Sequence, residues 1–290
     1  MAAPARDELR AHLVETRIAG DVATPRQNNL SHYRQMAAGD PYYQLGLELK
    51  PSWTERGVLE MMVERCGVHP DPLHLYGDDT IDPEITLDML EAMGDRIGAA
   101  ARRRETVLIA TGHPATLTPV YQAVARVLAD AGCRILTPAA GWTYEIDSTW
   151  GGVERRRIVY AEGGVAMLED GGRTHHTHDP HPMEAMLREL ATGGAATPPA
   201  SAATASGDLA GRESDVWPDL AIADHGWAGA AGQAGIDTVG FADCNDPALF
   251  AGAAEGKIAV VVPLDDGVSP HHYAPMTAYL LGRVGLSVSG

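Results

Sequence analysis

Residues 220–266 read LAIADHGWAGAAGQAGIDTVGFADCNDPALFAGAAEGKIAVVVPLDD, and this stretch decides the fold class. Three apolar runs, 220–223, 238–242 and 258–264, each end in acidic or histidine residues: Asp224 with His225, Asp243 with Asp246, and Asp265 with Asp266. Small-residue segments of helical length separate the runs. Short apolar runs alternating with such connectors predict parallel strands of an α/β sheet. Ligands of these sheets bind outside the carboxyl ends of the strands. That is where the sequence collects its carboxylates, a pattern suited to a phosphorylated or metal-bound ligand.

Working back towards the N-terminus, TVLIATGHP (106–114) predicts a strand and turn, TPVYQAVARVLADAG (118–132) the helix behind it, and CRILTPAAG (133–141) the next strand. Together they form a βαβ unit. WTYEIDSTW, RRIVYAEG and GVAMLEDGG, within 142–172, predict β-structure with a hairpin closing on a Gly turn. Residues 5–18, a segment from Ser52 to Gly67 and residues 83–102 carry helical patterns, the last with Leu87, Leu90, Met93 and Ile97 at three- and four-residue spacing. The last helix is expected near 273–284. The stretch 191–216, rich in Ala, Pro, Gly and Ser without hydrophobic period, predicts a flexible insertion. The expectation is one α/β domain, a Rossmann-like three-layer sandwich with a mostly parallel sheet. It comprises a helical N-terminal part (1–104), a first half of the sheet carrying a β-hairpin insertion (105–190), the low-complexity insertion (191–216) and a second half (217–290).

Composition narrows the function. A net charge of −17 argues against nucleic-acid binding, since a phosphate backbone would be repelled. No run approaches the length of a membrane span. No signal peptide is visible, so a cytoplasmic location is expected. Cys66, Cys133 and Cys244 form no C-x-x-C pair and no disulfide framework. Small residues along 228–235 suit a subunit interface or an internal contact, so a homo-oligomer stays open.

The turn Thr111-Gly112-His113-Pro114 follows a strand and opens a helix, a geometry that aims N–H groups at an anion. Gly112 and Gly226 are therefore expected at a phosphate, with Arg26, Asn29 and Arg34 from the polar N-terminal segment. Asp224, His225, His113 and Asp243 are the expected catalytic residues. Asp224, Asp243, Asp246 and Asp265 are candidate ligands for a divalent ion, Mg2+ or Mn2+ foremost. His176 and His178, from the HHTHDPH run, would face one side of an extended segment and add the option of Zn2+. Asp246 before Pro247 has an ordinary role as a helix N-cap, which accounts for it without chemistry. Of Asp265 and Asp266, at most one should ligate and the other cap the following turn. The Asp78-Asp79-Thr80-Ile81-Asp82 run resembles a hard-cation loop but lacks the EF-hand pattern. No nucleophile elbow, H-E-x-x-H or dinucleotide fingerprint is present.

RIAGDVATPRQNNLSHY, WTERGVLEMMVERCGV, YGDDTIDPEIT, TGHPATL, HTHDPHPM, ADHGWAGAAGQAGI, ADCNDPALF and PLDDGVSPHHY together resemble a mainly actinobacterial family called "phosphatase". The resemblance spans nearly the whole chain and implies a phosphatase-like hydrolase. Its expected substrate is a small phosphorylated metabolite hydrolysed as a monoester. A sugar-phosphate isomerase or lyase, and a non-catalytic metabolite-binding protein, are the competing readings.

Overall fold

The computed structural model describes residues 2–147, 152–193 and 217–289. Nearly all of the expected low-complexity insertion lies outside the described residues, as does part of the WTYEIDSTW segment. The first part of the chain forms α1 (Arg6–Glu15), β1 (Gly20–Pro25), α2 (Arg26–Ala37), α3 (Glu55–Arg65), β2 (Asp78–Ile81) and α4 (Pro83–Arg103). Then come β3 (Thr106–Ala110), α5 (Pro114–Asp130), β4 (Arg134–Ile135), β5 (Thr143–Asp147), β6 (Val153–Ala161), β7 (Val165–Asp170), β8 (Arg173–His175) and α6 (His181–Thr192). The last part adds β9 (Leu220–Ile222), α7 (His225–Gln233), β10 (Asp237–Ala242), α8 (Pro247–Ala254), β11 (Val260–Pro263) and α9 (Ala274–Ser289).

The main sheet runs β11-β10-β9-β3-β7-β6-β5, with β4 on β3 and β8 on β7. Strands β11, β10, β9, β3 and β7 run parallel to one another along this path. β5, β6 and β8 join antiparallel, so the meander β5–β8 is the β-hairpin region. Helices α4, α5 and α9 pack together on one face, and α6, α7 and α8 form a second packed group against β9, β10 and β11. This gives a mixed α/β architecture with a mostly parallel central sheet and helices on both sides. The helical spacing of α4 serves that packing: Leu87, Leu90, Met93 and Ile97 are fully buried. Each contributes about 1.5–3 kcal/mol by leaving water.

Three local departures from the sequence reading have physical causes. The strand expected over 133–141 is only the two residues of β4. β4 pairs with Thr106 and Val107, while β7 takes Ile109 and Ala110, so the two share one edge of β3. β1 and β2, not expected as strands, form a separate antiparallel pair, and α2 was likewise not expected. The buried positions of α2 are Arg26, Asn29, Tyr33 and Met36, at helical spacing but half of them polar. A search for apolar periodicity passes over such a helix.

The small residues of 228–232 are buried within the chain. A Cβ on Gly229 would lie 1.9 Å from the Leu45 carbonyl oxygen, so only glycine admits that backbone. Their smallness thus serves an internal contact.

Candidate metal and phosphate centre

Strand β3 sends its chain on to β7 at one side, while β9, β10 and β11 build outward from its other side. The crevice between β3 and β9 is therefore a topological switch point, where parallel sheets place ligands. Thr111-Gly112-His113 leave the end of β3, and Asp224-His225 leave the end of β9. Asp243 and Asp246 follow β10, and Asp265 and Asp266 follow β11. β7 overshoots β3, pairing with it only through Val165 and Ala166. β8 then returns antiparallel along β7, and the Thr177 N–H donates to the Gly112 carbonyl at 2.9 Å. That return brings His176 and His178 over the end of β3.

His225 is the hub. Its backbone has φ 49°, left-handed for a non-glycine residue, and its side chain is 2% exposed. Nδ1–H donates to Asp224 Oδ1 at 2.8 Å. Asp224 is in turn fixed by the Thr111 hydroxyl at 2.8 Å and the Gly112 N–H at 2.6 Å. This leaves Nε2 of His225 pointing into a ring of donor atoms: His176 Nε2 at 3.4 Å, Asp246 Oδ2 at 3.3 Å and Asp266 Oδ2 at 3.5 Å. His113 Nδ1 lies 3.3 Å from Asp266 Oδ2, and His178 Nδ1 lies 4.0 Å from Asp246 Oδ1. Yet His113 Nδ1, His178 Nδ1, Asp246 Oδ2 and Asp266 Oδ2 are buried atoms without a hydrogen-bond partner among the described residues.

Buried polar atoms left unpaired cost free energy, and a group of them pointing at one place indicates something that binds there. Four ligands about 2.0–2.2 Å from a tetrahedral ion stand about 3.3–3.5 Å apart. The distances from His225 Nε2 to the His176, Asp246 and Asp266 atoms match that spacing, and His225 brings a ligand atom within 4.8 Å of those of His113 and His176 on one side and of His178 and Asp246 on the other. Ligating histidines also commonly donate their other nitrogen to a carboxylate, as His225 does. The donor set fits a divalent cation. His176 is exposed, so the cluster opens to solvent there.

Next to it, Asp243, Asp265 and Asp266 bring carboxylate oxygens within 4.8 Å of one another. These residues line a polar cavity of about 410 Å³, with Arg17, Thr24, Asn28 and Asn245 on its walls. The electrostatics follow from crowding buried charges. Burial alone would lower His225, but Asp246, Asp224 and Asp266 raise it to about 10. Burial pushes Asp243 well up, and the charges of Asp266 and Asp265 push it further. Asp266 goes the other way: despite burial, His113 and the neighbouring imidazoles hold it at about 2. His178 falls to about 2, first through burial and then through His225 and His176. Tyr42 stacks on His178, ring centroids 5.0 Å apart, at the rim.

The expected residues separate accordingly. Asp224, His225, His113, His176, His178, Asp243, Asp246 and Asp265 do converge. Asp224, however, has its oxygens taken by Thr111, Gly112 and His225, which makes it an orienting group rather than a free ligand. Asp246 sits at the N-cap position of α8 but makes no capping bond; its carboxylate turns to His225 instead. Asp265 accepts the N–H groups of Ala23 and Gly267, so the carboxylate left unpaired is that of Asp266.

The expected phosphate contacts are placed differently. The Gly112 N–H is spent on Asp224 and the His113 N–H on Thr111, so that turn offers no free cradle. A Cβ on Gly226 would lie 2.3 Å from the His178 carbonyl oxygen, which gives this glycine a packing role. Arg26 is fully buried and bonds Asp79 at 2.8 Å along with the His74 and Asp71 carbonyls. Asn29 is buried and donates to Asp79 and Cys244. Arg34 lies outside, paired with Glu55. Asp79, in the run that resembled a cation loop, serves Arg26, and Asp82 caps α4 by accepting from the Glu84 N–H.

The sequence reading names Asp266 only as one of a pair with Asp265 and Thr111 only within the turn after β3; the residues it misses are the cavity residues Arg17, Asn28 and Asn245. Asn28 carried a legible signal, being adjacent to Asn29 in a polar helix. Arg17 carried none, because only the loop after α1 brings it to β11.

Residues 4–288 match a protein family described as Phosphatase. A curated protein from Streptomyces coelicolor, named Phosphatase SCO2771, is 50% identical over 285 residues, covering 98% of this chain and 97% of that one.

Proposed function

Because this chain belongs to the Phosphatase family, we propose that it is a divalent-metal-assisted phosphomonoesterase acting on a small phosphorylated metabolite. The observation that carries the metal part is the ring of donor atoms around His225 Nε2, in which Asp246 Oδ2, Asp266 Oδ2 and the nearby His113 Nδ1 and His178 Nδ1 are buried without a hydrogen-bond partner. His225 holds the ion together with donors drawn from His113, His176, His178 and Asp246, and Asp266 lies beside them. Imidazole-rich sets favour Zn2+, Mn2+ or Fe2+ over Mg2+, which prefers oxygen. That revises the Mg2+ preference drawn from the carboxylates alone. When bound, such an ion polarises a phosphoryl oxygen and acidifies water beside it.

The chain's own groups do the rest. Asp224 keeps His225 in the Nδ1–H tautomer, and Thr111 and Gly112 keep Asp224 still. His113, partly exposed beside Asp266, is placed to give a proton to the departing alkoxide. The cavity of about 410 Å³ has room for a sugar- or amino-alcohol-sized phosphate, and Arg17 is the basic side chain on its wall. A bare cluster of carboxylates would repel a phosphate, so binding requires cationic compensation in the site.

The test is phosphate release from a panel of sugar, nucleoside and amino-alcohol monophosphates by chelator-stripped protein, before and after loading with Mn2+, Zn2+ or Mg2+. Metal-restored release of inorganic phosphate supports the reading. Isomerised or cleaved carbon products without phosphate release, or tight binding without turnover, would overturn it.

A further inference from the structure

The donor atoms converge on two places rather than one. Around His225 the ligands are mainly imidazoles, opening at His176. On the other side, Asp243, Asp265 and Asp266 form an all-oxygen group that opens into the cavity. Asp266 belongs to both: its side chain is 7% exposed, its Oδ2 lacks a hydrogen-bond partner, and that oxygen faces His225 and His113. A carboxylate buried this deeply, with imidazoles on one flank and the carboxylates of Asp243 and Asp265 on the other, calls for a cation on the carboxylate flank.

We propose that the centre binds two divalent cations, a first among the imidazoles and a second among Asp243, Asp265 and Asp266, with Asp266 bridging them. This deepens the metal-assisted reading above and rests on it. The two places differ in chemistry. The imidazole side selects a borderline ion such as Zn2+ or Mn2+, and the carboxylate side a hard ion such as Mg2+ or Mn2+. A neighbouring pair is the usual means of clamping both the attacking and the leaving oxygen of a phosphoryl group. The second ion also explains how a phosphate is admitted to a cavity walled by Asp243, Asp265 and Asp266. The chain orients this half: the Thr24 hydroxyl and the Cys244 N–H donate to the two oxygens of Asp243 at 2.7 and 2.6 Å, and the Ala23 and Gly267 N–H groups to those of Asp265 at 3.2 and 2.9 Å. Each bond fixes one oxygen in direction while leaving a lone pair on it.

The test uses the full chain, stripped with a chelator and titrated with Mn2+ as the probe. Bound metal is counted by elemental analysis, and coupling between ions is read by electron paramagnetic resonance. Wild type should take up two Mn2+ per chain with an exchange-coupled spectrum. Asp265→Asn should retain one Mn2+ with an isolated six-line signal. Asp243→Asn, an independent second variant, should do the same, and circular dichroism reports whether each variant is folded. Asp266→Asn should lose the coupling. If wild type binds a single Mn2+ that survives Asp265→Asn and disappears in His225→Asn, the second site is overturned while the phosphatase reading stands. If wild type binds none and releases phosphate without metal, both the pair and the metal-assisted reading fall.

Discussion

His225 holds a left-handed backbone at the start of α7, where an L-residue pays about 1–2 kcal/mol in steric energy. Strain of this kind persists where surrounding contacts over-determine it, and at His225 they do so around its imidazole. Asparagine tolerates the same conformation, so His225→Asn removes the imidazole with least disturbance to the turn. It should lower kcat/KM about 10²–10⁴-fold and remove the metal counted by elemental analysis. Asp224→Asn keeps one oxygen to accept the Gly112 N–H, sets an NH2 against the Thr111 hydroxyl and loses the charge that orients His225. A loss of about 10–100-fold in metal affinity is expected, read by competition with a coloured chelator. At this scale the sequence showed which residue types gather at strand ends but not how each is bonded. Asp246 before Pro247 reads as a cap, and only the approach of His225 reveals why its carboxylate turns away from α8. Arg26 and Arg34 are indistinguishable as letters; one is sealed against Asp79 and the other is on the surface.

Among the elements, the hairpin formed by β7 and β8 delivers two histidines to a site otherwise built on β3, β9, β10 and β11. Its anchorage is the Thr177 N–H on the Gly112 carbonyl. A Cβ at position 112 would lie 2.5 Å from the Thr177 carbonyl oxygen, against backbone that cannot swing aside. Gly112→Ala should therefore cost about 1–3 kcal/mol in denaturant unfolding and weaken metal binding, since His176 and His178 move with that strand. α2 is tied in by the buried Arg26–Asp79 pair. Arg26→Ala strands the Asp79 charge and should cost about 3–5 kcal/mol. Burial alone would raise Asp79, but Arg26 and the N–H groups of His69 and Thr80 outweigh it and hold it below 3.8. Its stabilising effect is thus complete above that pH and fades as pH falls through the lower folded value. The difference in melting temperature between wild type and Asp79→Asn should shrink between pH 5 and pH 2. The main sheet was legible because its strands are apolar and punctuated. β1, β2 and α2 were not, because their buried positions are filled by paired polar groups rather than by a hydrophobic period.

For the molecule as a whole, the metal-assisted reading makes the carboxylates and imidazoles at the sheet edge a concentrated charge that bound ions relieve in the folded state. A cation at 100 times its Kd adds about 2.7 kcal/mol to stability. At about 2–4 °C per kcal/mol, chelation should lower the melting temperature by about 5–10 °C, and Mn2+ should restore it in scanning calorimetry.

The order of strands carries one more consequence, for the chain while it is being made. β3 lies in the middle of the sheet, yet the edge it offers to β9 finds its partner only when Leu220 is synthesised. At about 5–20 residues per second, Val107, Leu108 and Ile109 wait roughly 6–22 s on the ribosome with one edge bare. Strand edges of that composition recruit other chains. A polypeptide that ends before Leu220 therefore leaves the Val107–Ile109 edge of β3 without its β9 partner.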